Sequence, residues 1–178
     1  MFENLKSDIQ RYTKDSKGLF DKNNFYLLFE QGLWAIVIYR FGRWVGTIKI
    51  PLVSHVLKII AFLLFKLMEI LTGISLPASA QIGKGFYVGH FSNIILHSDV
   101  KMGENCSVGP GVLIGTRGLG KKGTPIVGNN VYIGAGAKIL GKITIGNGVR
   151  IGANSVVLTD VPDGVTVVGI PAKIVRKT

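Results

Sequence analysis

Acidic residues and cysteines are scarce in this chain. Ten Asp and Glu stand against 21 Lys and Arg in 178 residues, a formal net charge of +11. A surplus of this size disfavours cationic partners and favours anionic ones. Cysteine occurs once, at Cys106. No intrachain disulfide can form, and a reducing compartment suits such a chain. There are three histidines, His55, His90 and His97. A zinc site built on His90 and His97 would need a third histidine close by, and His55 lies far upstream, so no metal is expected. The aromatic residues are not interleaved with basic ones, so no nucleic-acid partner is expected. Charged residues are few (17%) and apolar ones many (47%), which excludes a disordered protein. The opening "MFENLKSDIQRYTKD" is polar and charged and does not read as a signal peptide.

The first part of the chain reads as helix. Residues 24–46 are mostly apolar, with Trp34, Trp44, Arg40 and Arg43 among them. Residues 53–73 form a second apolar helix after Pro51, ended by Gly73 and Pro77. Residues 59–76 reach the length of a membrane span but carry Lys66 and Glu69. The expectation is a helix buried in an oligomer or lying on a bilayer surface.

The second part keeps a period of six. Ile82, Val88 and Ile94 are six apart, as are Met102, Val108 and Ile114. Val127, Ile133, Ile139, Ile145, Ile151 and Val157 continue the beat. Two residues before these come Val131, Ala137, Ile143, Val149 and Ser155, and Gly128, Gly134, Gly146 and Gly152 follow them. An inward aliphatic residue, a second one two positions earlier and a turn glycine make the hexapeptide repeat of a parallel β-helix. Three hexads to a coil give about four coils. The beat breaks twice, between Ile94 and Met102 and between Ile114 and Val127. The second insertion, "GTRGLGKKGTP", is expected to protrude as a loop, and long loops on rigid scaffolds often carry function. Its Gly118, Gly120 and Gly123 spell G-x-G-x-x-G, but no helix follows, so it reads as a loop and not a phosphate cradle.

The stretch "IGAGAKILGKITIGNGVRIGANSVVLTDVPDGVTVVGIPAKIV" (133–175) resembles the end of the serine acetyltransferase group of hexapeptide acyltransferases, and "YRFGRW" (39–44) resembles the helix before their β-helix. The resemblance implies a mainly β fold: a left-handed parallel β-helix with an N-terminal α-helical segment. It also implies acetyl-CoA as co-substrate and a homotrimer. Residues 1–74 would be the helical region and 75–178 the acyltransferase domain, with a protruding loop at 115–126. The start "FENLKSDIQRY" looks more like the polysaccharide-modifying members, such as the colanic acid acetyltransferases. In serine acetyltransferases a carboxylate just before the β-helix orients the histidine, and here Ser75 falls at that position. Gly89 stands where those enzymes hold serine with an aspartate, and Thr124 stands where a second histidine would be.

His90 lies two residues after an inward valine, so its ring should point outward. Acetyl transfer to an alcohol needs a base, and an imidazole titrates near neutrality. The resemblance places the catalytic histidine here. The backbone N–H of Gly115 is a candidate oxyanion donor, and Asp99 or a main-chain carbonyl is a candidate partner for the His90 ring. By family position Ala135 and Ala153 line the CoA arm. Lys173 and Arg176 would meet CoA phosphates, or else form a basic solvated tail. His97, Arg117 and Lys121 are candidate acceptor contacts. Cys106 falls at an inward position and reads as core.

These residues lead to the expectation of an O-acetyltransferase acting on a hydroxyl of a surface-polysaccharide sugar or its precursor. It would be cytoplasmic, at the inner face of the plasma membrane if the helices make a peripheral membrane contact. The alternatives are a serine O-acetyltransferase of cysteine biosynthesis, a non-catalytic trimeric scaffold in polysaccharide assembly, and N-acetylation of an amino sugar.

Overall fold

The computed structural model describes residues 2–13, 27–118, 120 and 122–177. Three helices lead into a stack of short strands. Helix α1 spans Phe2–Gln10, α2 spans Gln31–Val45 and α3 spans Pro51–Thr72. The reading of 24–46 as one helix is too long at its start: 27–29 is a 3₁₀ turn, and 24–26 lie outside the described residues. Helix α3 begins at Pro51, two residues before the expected start. Proline at a first helical position forfeits no hydrogen bond and has its φ already set. Gly73 ends α3 with φ +66°, and its N–H donates to the Glu69 carbonyl at 2.9 Å.

The strands follow the hexads. After β1 (Ile74–Ser75) come β2 (Gln81–Ile82), β3 (Tyr87–Val88) and β4 (Ile94–Leu96). Next are β5 (Lys101–Met102), β6 (Ser107–Val108), β7 (Leu113–Gly115), β8 (Ile126–Val127), β9 (Tyr132–Ile133) and β10 (Lys138–Leu140). The series continues with β11 (Thr144–Ile145), β12 (Arg150–Ile151) and β13 (Val156–Val157), and ends in β14 (Val165–Gly169) and β15 (Ala172–Lys177). Every third strand pairs, in parallel. The first sheet runs β1-β4-β7-β10-β13, the second β2-β5-β8-β11 and the third β3-β6-β9-β12-β14. Strand β15 adds to the third sheet antiparallel, closing the stack with a hairpin.

All twelve hexad residues are buried, from Ile82 through Val157. So are the residues two before them, Val131, Ala137, Val149 and Ser155 among them, except Ser92, which is exposed at the turn before β4. Alternation along a strand puts both on one face, and the three sheets turn that face to a common interior. Cys106 is fully buried there. Desolvation pushes its thiol up to about 11, as a core role requires. Between the second and third sheets, side chains cap the turns in a ladder. Asn129 Oδ1 accepts from Glu104 N–H, Asn147 Oδ1 from Asn129 N–H, and Asp163 Oδ1 from Asn147 N–H.

The first rung would expose an open edge, and the helices cover it. The Tyr39 hydroxyl donates to the Ala80 carbonyl (2.8 Å) and accepts from Ile82 N–H (3.0 Å). Arg40 donates to the carbonyls of Ile82 and Gly83, and Asp8 accepts from Phe86 N–H. Asp8 and Arg40 are themselves joined at 2.7 Å, both buried. Edge groups left unpaired would invite further strands; here side chains satisfy them. Gly32 permits the approach of α2, since a Cβ there would lie 2.8 Å from the Val88 carbonyl oxygen.

Candidate active site

The turn from the third sheet to the first follows β3, β6, β9 and β12. Register fixes what stacks there. Val88 pairs with Val108, Val108 with Ile133, and Ile133 with Ile151. The residues two positions on therefore form a column: His90, Pro110, Ala135 and Ala153. Ala135 and Ala153 are exposed, and the Asn154 N–H donates to the Ala135 carbonyl at 2.8 Å, tying the two rungs. From His90 to Ala153 is three rungs, roughly 14 Å at the strand spacing. Along this edge Ala135 and Ala153 present small exposed side chains beyond Pro110, with His90 at one end of the column.

His90 is exposed, and among the described residues its ring has no hydrogen-bond partner. Its backbone is well held. The Gly89 N–H donates to the Val108 carbonyl (3.0 Å). Beyond it Ser92 and Asn93 take φ of +96° and +52°. The Gly111 N–H then donates to Ser92 O (3.0 Å), and Ile94 N–H donates to Gly73 O (3.0 Å). The imidazole is thus free for a substrate on a fixed support.

Asp99 is not its partner, contrary to the expectation. It lies in the turn after β4, where its N–H donates to His97 Nδ1 (3.2 Å) and its carboxylate stands 3.9 Å from the same nitrogen.

The remaining candidates divide between two places. Lys173 pairs with Val168 in the closing hairpin. Gly169, two residues after Val167, continues the His90 column, so Lys173 sits at its far end. Arg176 pairs with Thr166, further back along the hairpin, and both cations are exposed. The other group occupies the opposite edge, between the first and second sheets. Gly115 is buried and in register with Leu140, and a Cβ on it would lie 3.7 Å from His97 Cβ. Arg117 is exposed beside Gly141. Thr124 Oγ1 donates to the Asp99 carbonyl (3.0 Å), tying the loop after β7 to the His97 turn. Lys121 lies outside the described residues. Within one chain, then, His90 and the His97–Gly115–Arg117 group face away across the width of the first sheet. Neither of two cavities in the chain is lined by His90.

Sequence reasoning missed Glu69. Ser75 Oγ donates to Glu69 Oε1 (2.6 Å), and Lys66 Nζ donates to Oε2 (2.6 Å). Partial burial works to raise the Glu69 carboxyl, but the two hydrogen bonds and the Lys66 charge outweigh it and hold it below its ordinary value. A carboxylate therefore does stand next to Ser75, contributed by α3 six residues earlier. No sequence motif marks it.

The hexapeptide stack is matched in known proteins. The family described as "Bacterial transferase hexapeptide (six repeats)" covers residues 124–159. A serine acetyltransferase of Helicobacter pylori J99 is 34% identical over 174 residues, 97% of both chains. This chain belongs to the serine acetyltransferase family. Its members are acetyl-CoA-dependent hexapeptide-repeat transferases. The serine acetyltransferase of Synechococcus elongatus is 38% identical over 155 residues, and there the match spans only 60% of the relative's length. Among solved structures, serine acetyltransferase from Brucella abortus in complex with coenzyme A superposes with a TM-score of 0.83 at 30% identity, over 99% of this chain and 68% of that one. The Neisseria gonorrhoeae enzyme in complex with serine gives 0.78 at 30% identity, over 98% and 69%. The parallel sheets with N-terminal helices agree with the left-handed β-helix of this family.

Two expectations are corrected by these relatives. They do not support a closer kinship with the polysaccharide-modifying members, and the reading as a surface-polysaccharide O-acetyltransferase is overturned in favour of the serine alternative. The start "FENLKSDIQRY", which suggested that kinship, serves the fold: it carries Asp8, the partner of Arg40.

Proposed function

We propose that this chain is a serine O-acetyltransferase, moving acetyl from acetyl-CoA to the hydroxyl of L-serine. The observation that supports the reading is His90, unpaired and outward, at the foot of the Ala135–Ala153 track, in a chain aligned end to end with a serine acetyltransferase. The track fits a CoA arm because its side chains are small and exposed; acetyl-CoA supplies the activated acetyl group. His90 takes the proton from the serine hydroxyl as the oxygen bonds to the acetyl carbon. The carbon–sulfur bond breaks, and His90 returns the proton to the thiolate. Free CoA and O-acetylserine result, with no covalent enzyme intermediate. Lys173 at the far end of the track meets the CoA phosphates.

The site is completed by a second copy. His90 and the His97–Arg117 group lie on different edges of one chain, so a homotrimer that packs edge against edge brings them together. Arg117 is then available to the serine carboxylate, for which a guanidinium is a suitable fork. The test is CoA thiol release with L-serine, with mass analysis of the product. Serine-dependent release and a serine gaining one acetyl on oxygen are expected. Release no faster than in the absence of serine overturns the reading.

A further inference from the structure

Helix α3 is 22 residues long and apolar enough to cross a membrane, yet only 11% of its most apolar window is buried. A core helix of that composition would be mostly covered. At 3.6 residues per turn, Leu52, Ile59, Leu63 and Ile70 fall on one line, and they are 78%, 61%, 60% and 81% exposed. Ser54, Met68 and Thr72, the buried residues of α3, lie on the opposite side. The helix therefore uses one side to pack on the protein and presents an apolar face, about 33 Å long, on the other, bordered by exposed Lys66.

The charges around that face have one sign. Arg43, Lys49 and Lys58 are exposed. The one carboxylate in α2 and α3, Glu69, is neutralised by Lys66 and held by Ser75. A groove of about 560 Å³ between α2 and α3 brings Arg43 and Lys58 together with Phe62 and Phe65. Apolar side chains flanked by exposed cations are the pattern of a helix that lies in a bilayer interface bearing anionic headgroups. A second copy on the same face would set these cations against their own images in a chain of net charge +11. Spanning is also disfavoured. Helix α2 packs along α3, its Arg40 is fixed to Asp8 and the first rung, and α3 passes through Gly73 directly into β1.

We infer that the exposed face of α3 docks this protein on an anionic membrane surface, with α3 parallel to the bilayer plane. The inference does not rest on the acceptor, and serine-dependent transfer serves as a separate check on folding. The experiment is flotation of the full chain with vesicles of phosphatidylcholine alone or mixed with phosphatidylglycerol. Flotation is expected with the anionic vesicles and not the neutral ones, weakening as salt rises. Lys58→Gln should lower affinity about fivefold. Leu63→Glu with Ile70→Glu should abolish flotation while the CoA release rate stays at the parent value. Failure to float with either vesicle, or flotation that survives the double variant, overturns the inference. So does a double variant that sediments as a smaller particle than the parent, because a second copy would then be what covers the face.

Discussion

The Tyr12 hydroxyl serves both backbone groups of Val88. It donates to the carbonyl at 2.9 Å and accepts from the N–H at 3.0 Å. Val88 is an edge residue of the third sheet and stands two positions before His90. One side chain from the N-terminal region thus stabilises the first rung and fixes the backbone that leads to His90.

Tyr12→Phe removes both bonds and leaves a buried N–H and C=O without a partner. A loss of roughly 1–3 kcal/mol of stability is expected from chemical denaturation. Because the slack falls next to His90, kcat should drop more than the KM for either substrate changes.

The Asp8–Arg40 pair behaves differently from a surface ion pair because both partners are buried. Arg40→Leu strands the Asp8 charge and should cost about 3–5 kcal/mol. Asp8→Leu combined with Arg40→Leu should cost less than the sum of the single changes, which a double-mutant cycle on unfolding free energies would show.

Glu69 links stability to pH. Its carboxyl is held below the ordinary value of 4.5 in the folded chain. The unfolded chain therefore binds the proton more readily. The stabilisation is complete above the unfolded value and fades as pH falls through the folded one. The urea midpoints of parent and Glu69→Gln should differ by a constant amount at neutral pH and converge on acidification. A gap that stays constant through the acid range would contradict this.

The small-residue track predicts a selective effect on one substrate. Ala153 is exposed, so Ala153→Phe should leave stability within about 0.5 kcal/mol of the parent. A ring across the track should raise the KM for acetyl-CoA by about tenfold or more and leave the KM for serine nearly unchanged. Arg117→Met should do the reverse, raising the serine KM and sparing that for acetyl-CoA.

How much of this could be read in the residues depends on periodicity. A core that repeats every six residues repeats in sequence too, and the inward positions from Ile82 to Val157 are all where the beat puts them. His90 was legible because it departs from that beat at an outward position. The helical cap was not. Asp8 and Arg40 are far apart in sequence, and nothing in "SDIQ" or "YRFG" announces a buried pair. Glu69 reads as one more charge in an apolar helix until Ser75 is folded back against it. The acceptor was misjudged because individual residues at Gly89 and Thr124 were weighed above the whole chain.

Serine-dependent CoA release by the His90→Ala variant tests the account most directly. The account predicts a kcat lower by about 10²–10⁴-fold, with the KM for acetyl-CoA and the unfolding midpoint close to those of the parent. A variant that transfers acetyl to serine at the parental rate would contradict it.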